Sequence, residues 1–182
     1  ARGLALLRVP LWRGGHFNEG YNVAHLPHDF SVPAGSSRAI LSVLLSGHGW
    51  GTEEANCAEF CNHTHHFQVN GREEIVKAYP DAGTGDACGT LVAEGVVPNQ
   101  YGTWTFGRAG WCPGMPVRWW EVDVTQLLLH GSAPNNITYR ALFNGTDYAP
   151  VRASDANPNG YAAEIHLASS LTFYGSASPR AG

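Results

Sequence analysis

Short runs of apolar and β-branched residues, separated by clusters of turn-forming residues, most constrain what this chain can fold into. That pattern is typical of antiparallel sheets, because a turn rather than a helix follows each run. The 22 glycines and 11 prolines supply such turns, and a charged fraction of 14% leaves few Lys and Glu residues for long helices. Strands are predicted at 4–9, 29–33, 38–46, 65–71, 73–79, 117–124, 136–144 and 161–174. We therefore predict an all-β fold, an antiparallel eight-stranded jelly-roll sandwich.

Four local segments refine this prediction. Asn70-Gly71, between two predicted strands, indicates a type I′ hairpin. The apolar run 39–45 predicts a strand buried on both faces, and 123–129 predicts a short helical turn. Segment 80–114 is glycine-rich and irregular. A loop of that length in a compact domain is usually functional or held by crosslinks.

Size and charge limit the domain organisation and the partners. A length of 182 residues supports one jelly-roll domain, predicted at 1–175, with a frayed tail or linker at 176–182. Because the chain starts at Ala1 without an initiator Met or a signal peptide, we expect a mature protein or a piece of a longer one. A net charge of −4 without runs of like charge gives no reason to expect a nucleic acid. No apolar run approaches the roughly 20 residues that span a bilayer, so no membrane insertion is expected.

Cysteines and glycosylation motifs indicate the compartment. Four cysteines permit three disulfide pairings, and none lies in a Cys-x-x-Cys unit, which argues against a zinc ribbon or a thioredoxin-type site. Three Asn-x-Thr acceptor motifs begin at Asn62, Asn136 and Asn144. An even cysteine count together with these motifs favours an oxidising, secretory environment. We therefore expect a secreted, extracellular or lumenal protein.

Two cysteine-containing stretches place ionisable side chains beside aromatic ones. Glu59 precedes Phe60, and Arg108 lies close to Trp111. A carboxylate can orient a water or a sugar hydroxyl, a guanidinium can bind hydroxyls, and aromatic faces, that of Trp50 included, can stack on a sugar ring. The same residues can instead form a rigid loop in which the carboxylate and guanidinium make a structural ion pair. The residues alone leave both readings open.

Histidines provide an alternative site. His63 and His65 project from one face of a predicted strand, a spacing seen in metal sites. His66, His48 and the single methionine, Met115, could join them around copper. The alternative is that these histidines are structural or lie on the surface.

Three motifs resemble a known family. SGHGW at 46–50, CAEFC at 57–61 and RAGWCPGM at 108–115 are similar to the carboxy-terminal half of bacterial peptide-N-glycosidase F, and the match extends over essentially the whole chain. The resemblance implies an amidase that cleaves between an asparagine side chain and the first N-acetylglucosamine of an N-glycan. It also implies two eight-stranded jelly rolls packed side by side, with the site at their interface and no metal or other cofactor.

The resemblance assigns roles to individual residues. It implies that Glu59 is the active-site glutamate and that Arg108 and Trp111 line the cleft. Phe60 stands where the family has a tryptophan, which keeps an apolar face and loses an indole donor. His48, in the first motif, completes the expected substrate-binding set. The implied disulfides are Cys57–Cys61 and Cys88–Cys112.

One half of the expected site has no counterpart in this sequence. In the family, the essential aspartate and a second glutamate come from the amino-terminal jelly roll. We therefore expect a non-autonomous or non-catalytic glycan-binding or structural module of a larger extracellular protein. Its expected partners are an N-glycan or glycoprotein, an adjacent jelly-roll domain or other extracellular chains. The alternatives are half of an active amidase, a hydrolase completed by the missing jelly roll, and a copper-binding monooxygenase-like domain with His63, His65 and His66 as ligands.

Overall fold

A computed structural model describes residues 3–50, 57–98, 102–131, 133–149 and 161–176, and for Trp50 it describes the backbone alone. The described residues contain eight strands, β1 (Ala5–His16), β2 (His28–Phe30), β3 (Ser36–Trp50), β4 (His63–Val69), β5 (Glu74–Ala78), β6 (Trp120–Asp123), β7 (Asn135–Phe143) and β8 (Tyr161–Gly175). They also contain a single helical turn, α1 (Tyr21–Ala24), and two 3-10 helices, Gly89–Glu94 and Thr125–Leu127.

The strands form two antiparallel four-stranded sheets, in the orders β1-β8-β3-β6 and β2-β7-β4-β5. Among these eight strands, β4 and β5 are the one consecutive pair within a single sheet, and every other connection passes between sheets. That arrangement is the jelly-roll topology. The predicted all-β, antiparallel eight-stranded jelly-roll sandwich is therefore confirmed.

Several local predictions hold and others need correction. Asn70 and Gly71 both have positive φ, 53° and 63°, as a type I′ hairpin requires. β1 extends beyond the predicted strand, through Gly14 to His16. A Cβ at Gly14 would collide with the carbonyl of Ile165 on β8, so a larger residue would not fit there. Glycine is thus the residue that lets these two strands approach so closely.

β3 is the central strand next to β8, and its burial differs from the prediction. Leu41, Val43 and Leu45 are buried and face the core between the sheets. On the other face Ile40 is buried as predicted, whereas Ser42 and Leu44 are half-buried. The outer face is therefore only partly covered at Ser42 and Leu44, as is common for an antiparallel sheet in a two-layer sandwich.

The core between the sheets is rich in aromatic rings. Trp12, Phe67 and Tyr139 pack together, with ring centroids 4.8 to 6.1 Å apart. Phe17 stacks on Tyr148 at 4.6 Å. These large side chains come from both sheets and from the loops at one end, so a single continuous core supports the site described below.

Both implied disulfides are confirmed. The Cα atoms of Cys57 and Cys61 are 5.7 Å apart, and those of Cys88 and Cys112 are 5.6 Å apart. The second disulfide ties the long segment between β5 and β6, whose described residues contain no strand, back onto itself. The crosslink expected from the length of this loop is therefore present.

No helix among the described residues is long and apolar enough to cross a membrane. The tail predicted at 176–182 lies outside the described residues after Ser176, so the domain bounds remain a prediction.

Candidate functional site

Three segments are joined by backbone hydrogen bonds to form the site. The N–H of Glu59 donates to the carbonyl of Gly49 at 3.0 Å, and the N–H of Ala109 donates to the carbonyl of Glu59 at 2.8 Å. The N–H of Gly47 then donates to the carbonyl of Ala109 at 2.8 Å. A Cβ at Gly47 would collide with the Ala58 carbonyl, so the CAEFC loop can lie this close to β3 only over a glycine.

An ion pair lies at the centre of the site. Arg108 Nε donates to Glu59 Oε1 at 2.7 Å, and the exposed fractions of the two side chains are 1% and 14%. The terminal guanidinium nitrogens donate to the Phe106 carbonyl at 3.1 Å and to Thr103 Oγ1 at 3.0 Å. Within the described part of the chain, Glu59 Oε2 accepts no hydrogen bond. The guanidinium is thus buried and fixed, while one carboxylate oxygen remains available to a ligand.

Two aromatic rings lie against the guanidinium. Arg108 Cζ lies 5.0 Å from the ring centroid of Phe60 and 4.9 Å from that of Trp111. Both distances are within the range of cation–π attraction. Trp111 Nε1 donates to the Gly47 carbonyl at 2.9 Å, so the indole N–H is already used. Phe106, more exposed, meets Phe60 edge to face at 6.4 Å and extends the apolar surface.

His48 extends the row of stacked groups. Its ring stacks on Trp111 at 5.0 Å and lies 4.2 Å from the ring of His166. Burial, and to a lesser extent repulsion from His166, lower the pKa of His48 to about 4, although Glu164 acts in the opposite direction. His48 is therefore a neutral imidazole at pH 7, with Nε2 2.9 Å from the hydroxyl of Ser46.

The structure brings together most of the residues expected from the sequence. The side chains of Glu59, Phe60, Arg108, Trp111 and His48 form one connected cluster. The side chain of Trp50, also expected there, lies outside the described residues. The roles of these residues in binding or catalysis remain predictions.

Sequence reasoning missed three members of the cluster. Thr103 and Phe106 come from the irregular segment, and their proximity to Arg108 along the chain was the one available signal. His166 is on β8 opposite Ser46 of β3, so its position depends on a strand register that the sequence does not display. Its place beside His48 could be found only from the structure.

His63 and His65 are fully buried and form part of a hydrogen-bonded chain in the core. His63 Nε2 lies 2.9 Å from the Ala58 carbonyl, His63 Nδ1 lies 2.7 Å from His65 Nε2, and His65 Nδ1 lies 2.8 Å from the Tyr139 hydroxyl. Tyr139 in turn meets the hydroxyl of Tyr21 at 3.0 Å. Since a carbonyl can only accept, His63 Nε2–H donates to Ala58, and neutral rings then continue the chain in one direction.

Burial accounts for the protonation state of this pair. It lowers the pKa of His63 to about 4, and burial together with the neighbouring histidines and Lys77 lowers the pKa of His65 well below its usual value. All four ring nitrogens of the pair have partners inside the protein. His66 projects from the opposite face of β4 and meets Glu74 at 2.9 Å. Nowhere in the described ranges do three or more His, Cys, Asp or Glu side chains form a group able to hold a metal.

The three glycosylation motifs differ in accessibility. Asn144 is exposed in the turn after β7. Asn62 is also exposed, and its Oδ1 accepts from the N–H of Tyr79 at 2.9 Å. Asn136 is half-buried on β7, and its Nδ2 donates to Asp29 at 2.8 Å. Because glycosylation occurs at Nδ2, the geometry favours Asn144 and Asn62 over Asn136.

Comparison with known proteins gives a family match over most of the chain. The family model described as "Peptide-N-glycosidase F, C terminal" matches residues 16–172. The peptide-N(4)-(N-acetyl-beta-D-glucosaminyl)asparagine amidase F of Elizabethkingia miricola is 29% identical over 119 residues, which are 62% of this chain and 31% of that protein.

Solved structures share the fold. A crystal structure of a peptide-N(4)-(N-acetyl-beta-D-glucosaminyl)asparagine amidase aligns with a TM-score of 0.64 and 22% identity, covering 94% of this chain and 52% of that one. The structure of PNGase F, a glycosylasparaginase from Flavobacterium meningosepticum, aligns with a TM-score of 0.61 and 20% identity, covering 93% and 51%. The chain thus spans about half the length of these solved proteins and 31% of the curated relative.

Proposed function

This chain belongs to the family of the carboxy-terminal domain of peptide-N-glycosidase F, and on that premise we propose that it is a glycan-binding module of an extracellular protein. The observation that carries the proposal is the Glu59–Arg108 pair, with the guanidinium within 5.0 Å of the ring centroids of Phe60 and Trp111. An amidase named for N-acetylglucosaminyl-asparagine is among its relatives, so the proposed ligand is the N-acetylglucosamine end of an N-glycan.

Each side chain of the cluster has a different role in the proposed binding. Glu59 Oε2 accepts a hydrogen bond from a sugar hydroxyl or from an acetamido N–H. Phe60 and the exposed ring of Phe106 provide a face on which the C–H groups of a sugar ring can pack. Arg108, with a side chain that is 1% exposed, does not reach the ligand. Its role in this proposal is to hold the Glu59 carboxylate in position.

The same geometry makes the module unsuited to hydrolysis by itself. Cleavage of a glycosylamide needs a water activated on one side of the bond and a proton delivered to the leaving amine on the other. The Arg108 guanidinium cannot act as the second group, because it is buried and its donors are taken by Glu59, Phe106 and Thr103. We propose that any further catalytic groups come from an adjacent domain, as the greater length of the relatives allows.

Two features favour an extracellular location. The two disulfides persist in oxidising compartments, and the exposed asparagines Asn62 and Asn144 lie in acceptor motifs. The proposed partners are glycoproteins carrying N-glycans and a neighbouring jelly-roll domain.

Titration with N,N′-diacetylchitobiose, followed by NMR or calorimetry, tests the binding proposal. We expect Glu59→Gln and Phe60→Ala each to weaken binding about tenfold or more, which corresponds to about 1.4 kcal/mol. Glu73→Gln, an exposed carboxylate in the β4–β5 hairpin, is the matched control and should leave affinity unchanged. Unaltered affinity in Glu59→Gln, or no binding by the natural chain, would mean that the cluster is structural.

Half of an amidase is the second candidate, because the family match includes Glu59 and a relative is named as an amidase. The chain alone is expected to release no glycan from a denatured N-glycoprotein, as measured by mass spectrometry of the protein. Release accompanied by conversion of asparagine to aspartate, using the full-length gene product, would establish the amidase. Release by the chain alone would contradict its dependence on a second domain.

A further inference from the structure

A small cleft lies where the two sheets are open at one side, between the edge strands β5 and β6. Its volume is about 180 Å³, below the roughly 300 Å³ at which sites for drug-sized ligands begin. It is lined by Val43, Leu45, Lys77, Tyr79, Gly110, Arg118, Trp119 and Trp120. The cleft thus suits one ring-sized ligand rather than a length of polypeptide.

The cleft is positively charged in a protein with a net charge of −4. Lys77 and Arg118 line it, and its lining contains no carboxylate. Lys77 is half-buried, with Nζ 5.2 Å from the ring centroid of Tyr79 and 6.0 Å from that of Trp120. Within the described ranges its ammonium makes no ion pair. A partly desolvated cation without a counterion gains from an incoming anion more than a fully solvated one does.

The second cation is also available to a ligand. Arg118 is 76% exposed and lies 3.7 Å from Glu94, whose side chain is exposed as well. Such an exposed pair is worth little and can rearrange on binding. A larger neighbouring cavity, of about 450 Å³, shares Lys77 and Arg118 but also contains the carboxylates of Asp81 and Glu94. An anion is therefore favoured at the smaller end.

Two adjacent tryptophans face in different directions at the cleft. Trp120 packs inward, with its ring 6.0 Å from that of Phe67 in the core. Trp119 is 51% exposed. A half-exposed indole is a face for the C–H groups of a sugar ring, and its position beside two cations joins an apolar surface to an anion-binding one.

We propose that this cleft binds an acidic sugar, with the ring against Trp119 and the carboxylate between Lys77 and Arg118. The ammonium and the guanidinium donate charge-assisted hydrogen bonds to the carboxylate. Val43 and Leu45 form an apolar floor that limits the ligand to a single ring. The cleft shares no lining residue with the Glu59 cluster, although the larger neighbouring cavity is also lined by Arg108 and Trp111. The proposal does not depend on the function proposed for that cluster.

Methyl glucuronide and methyl glucoside form a matched pair of probes, because they share a ring and differ in the carboxylate. In NMR titrations of the full chain, we expect methyl glucuronide to bind at least tenfold more tightly than methyl glucoside. Its affinity should fall as the salt concentration rises. Lys77→Gln and Trp119→Ala are each expected to reduce it at least fivefold. Arg72→Gln, an exposed cation in the β4–β5 hairpin, is the control and should leave it unchanged.

Three results would overturn the proposal. The first is equal affinity for the two sugars, and the second is unchanged affinity for methyl glucuronide in Lys77→Gln and Arg118→Gln. The third is binding of acetate as tight as that of methyl glucuronide, because it would show an anion site without sugar recognition. All four variants lie at or near the surface, so urea unfolding checks that each is folded. Glu59→Gln is expected to weaken the binding of N,N′-diacetylchitobiose but not that of methyl glucuronide. This variant therefore distinguishes a failure of the acidic-sugar proposal from a failure of the function proposed for the Glu59 cluster.

Discussion

Lowering the pH from 7 to 4 is expected to reduce the free energy of unfolding by about 3 kcal/mol through His63 alone. His63 is buried and neutral in the folded protein, with its pKa lowered to about 4, whereas in the unfolded chain a histidine titrates near 6.5. The unfolded state therefore binds a proton that the folded state does not. The contribution of His63 to the free energy of unfolding is complete above pH 6.5, and it is lost as the pH falls from 6.5 to about 4.

His65 acts in the same direction, since its pKa is also lowered. Burial is the main cause of the lowered pKa of His65, and His63, His66 and the cation Lys77 of β5 lower it further. Burial raises the pKa of Asp123, but hydrogen bonds donated by Thr125 and Arg38 and the positive charge of Arg38 together outweigh it, so the pKa is lowered. Its contribution is lost below its usual pKa near 3.8, so it lies outside the histidine window.

Urea unfolding at intervals from pH 7.5 to 4 measures this effect. His63→Gln is the informative variant, because an amide can still donate to the Ala58 carbonyl but does not titrate. We expect it to be less stable than the natural protein at pH 7.5 and to lose less stability on acidification. A free energy of unfolding that is the same at pH 7.5 and at 5 would show that folding does not lower the pKa of these histidines.

Replacement of Arg108 by Met is expected to destabilise the protein by about 3 kcal/mol, because removing one partner of a buried ion pair leaves the other without compensation. The Glu59 carboxylate is 14% exposed and would lose its hydrogen bond from Nε. The Phe106 carbonyl and the Thr103 hydroxyl would lose donors as well. Methionine keeps an unbranched apolar side chain that can still pack against the rings of Phe60 and Trp111.

A double-mutant cycle separates the ion pair from packing. Glu59→Gln alone should cost less than Arg108→Met, since the amide oxygen can still accept from Nε. The double variant Glu59→Gln with Arg108→Met is expected to be at least 1 kcal/mol more stable than the two single effects predict. Additive effects, measured by urea unfolding, would mean that the pair does not stabilise the folded protein.

The strands show which elements the pattern of apolar and turn-forming residues could predict. Alternation in 136–144 and the Asn70-Gly71 turn are local properties, so β7 and the β4–β5 hairpin were predicted close to their observed positions. Gly14 shows the limit of that approach. The predicted strand ended at Val9, whereas β1 continues through Gly14 to His16, where the missing side chain lets β8 pass close by.

The histidines were ambiguous for a physical reason. A period of two places His63 and His65 on one face of β4, but it does not say whether that face meets the core or solvent. In the structure the face is buried, and Ala58 and Tyr139, distant from each other in sequence, complete the hydrogen bonds. A pair that could have been metal ligands is instead the end of a hydrogen-bonded chain beneath the Glu59 loop.

The sequence by itself determined the sandwich and the residue types of the site, because strand periodicity, turn chemistry and short motifs are encoded by neighbouring residues. Which side chains meet was decided by the tertiary structure. The jelly-roll topology places the loop at 57–61 beside the segment at 108–111, and it leaves β5 and β6 as edge strands around Lys77 and Trp119. These contacts depend on sheet order and on strand register, which arise from packing of the whole core rather than from any one segment.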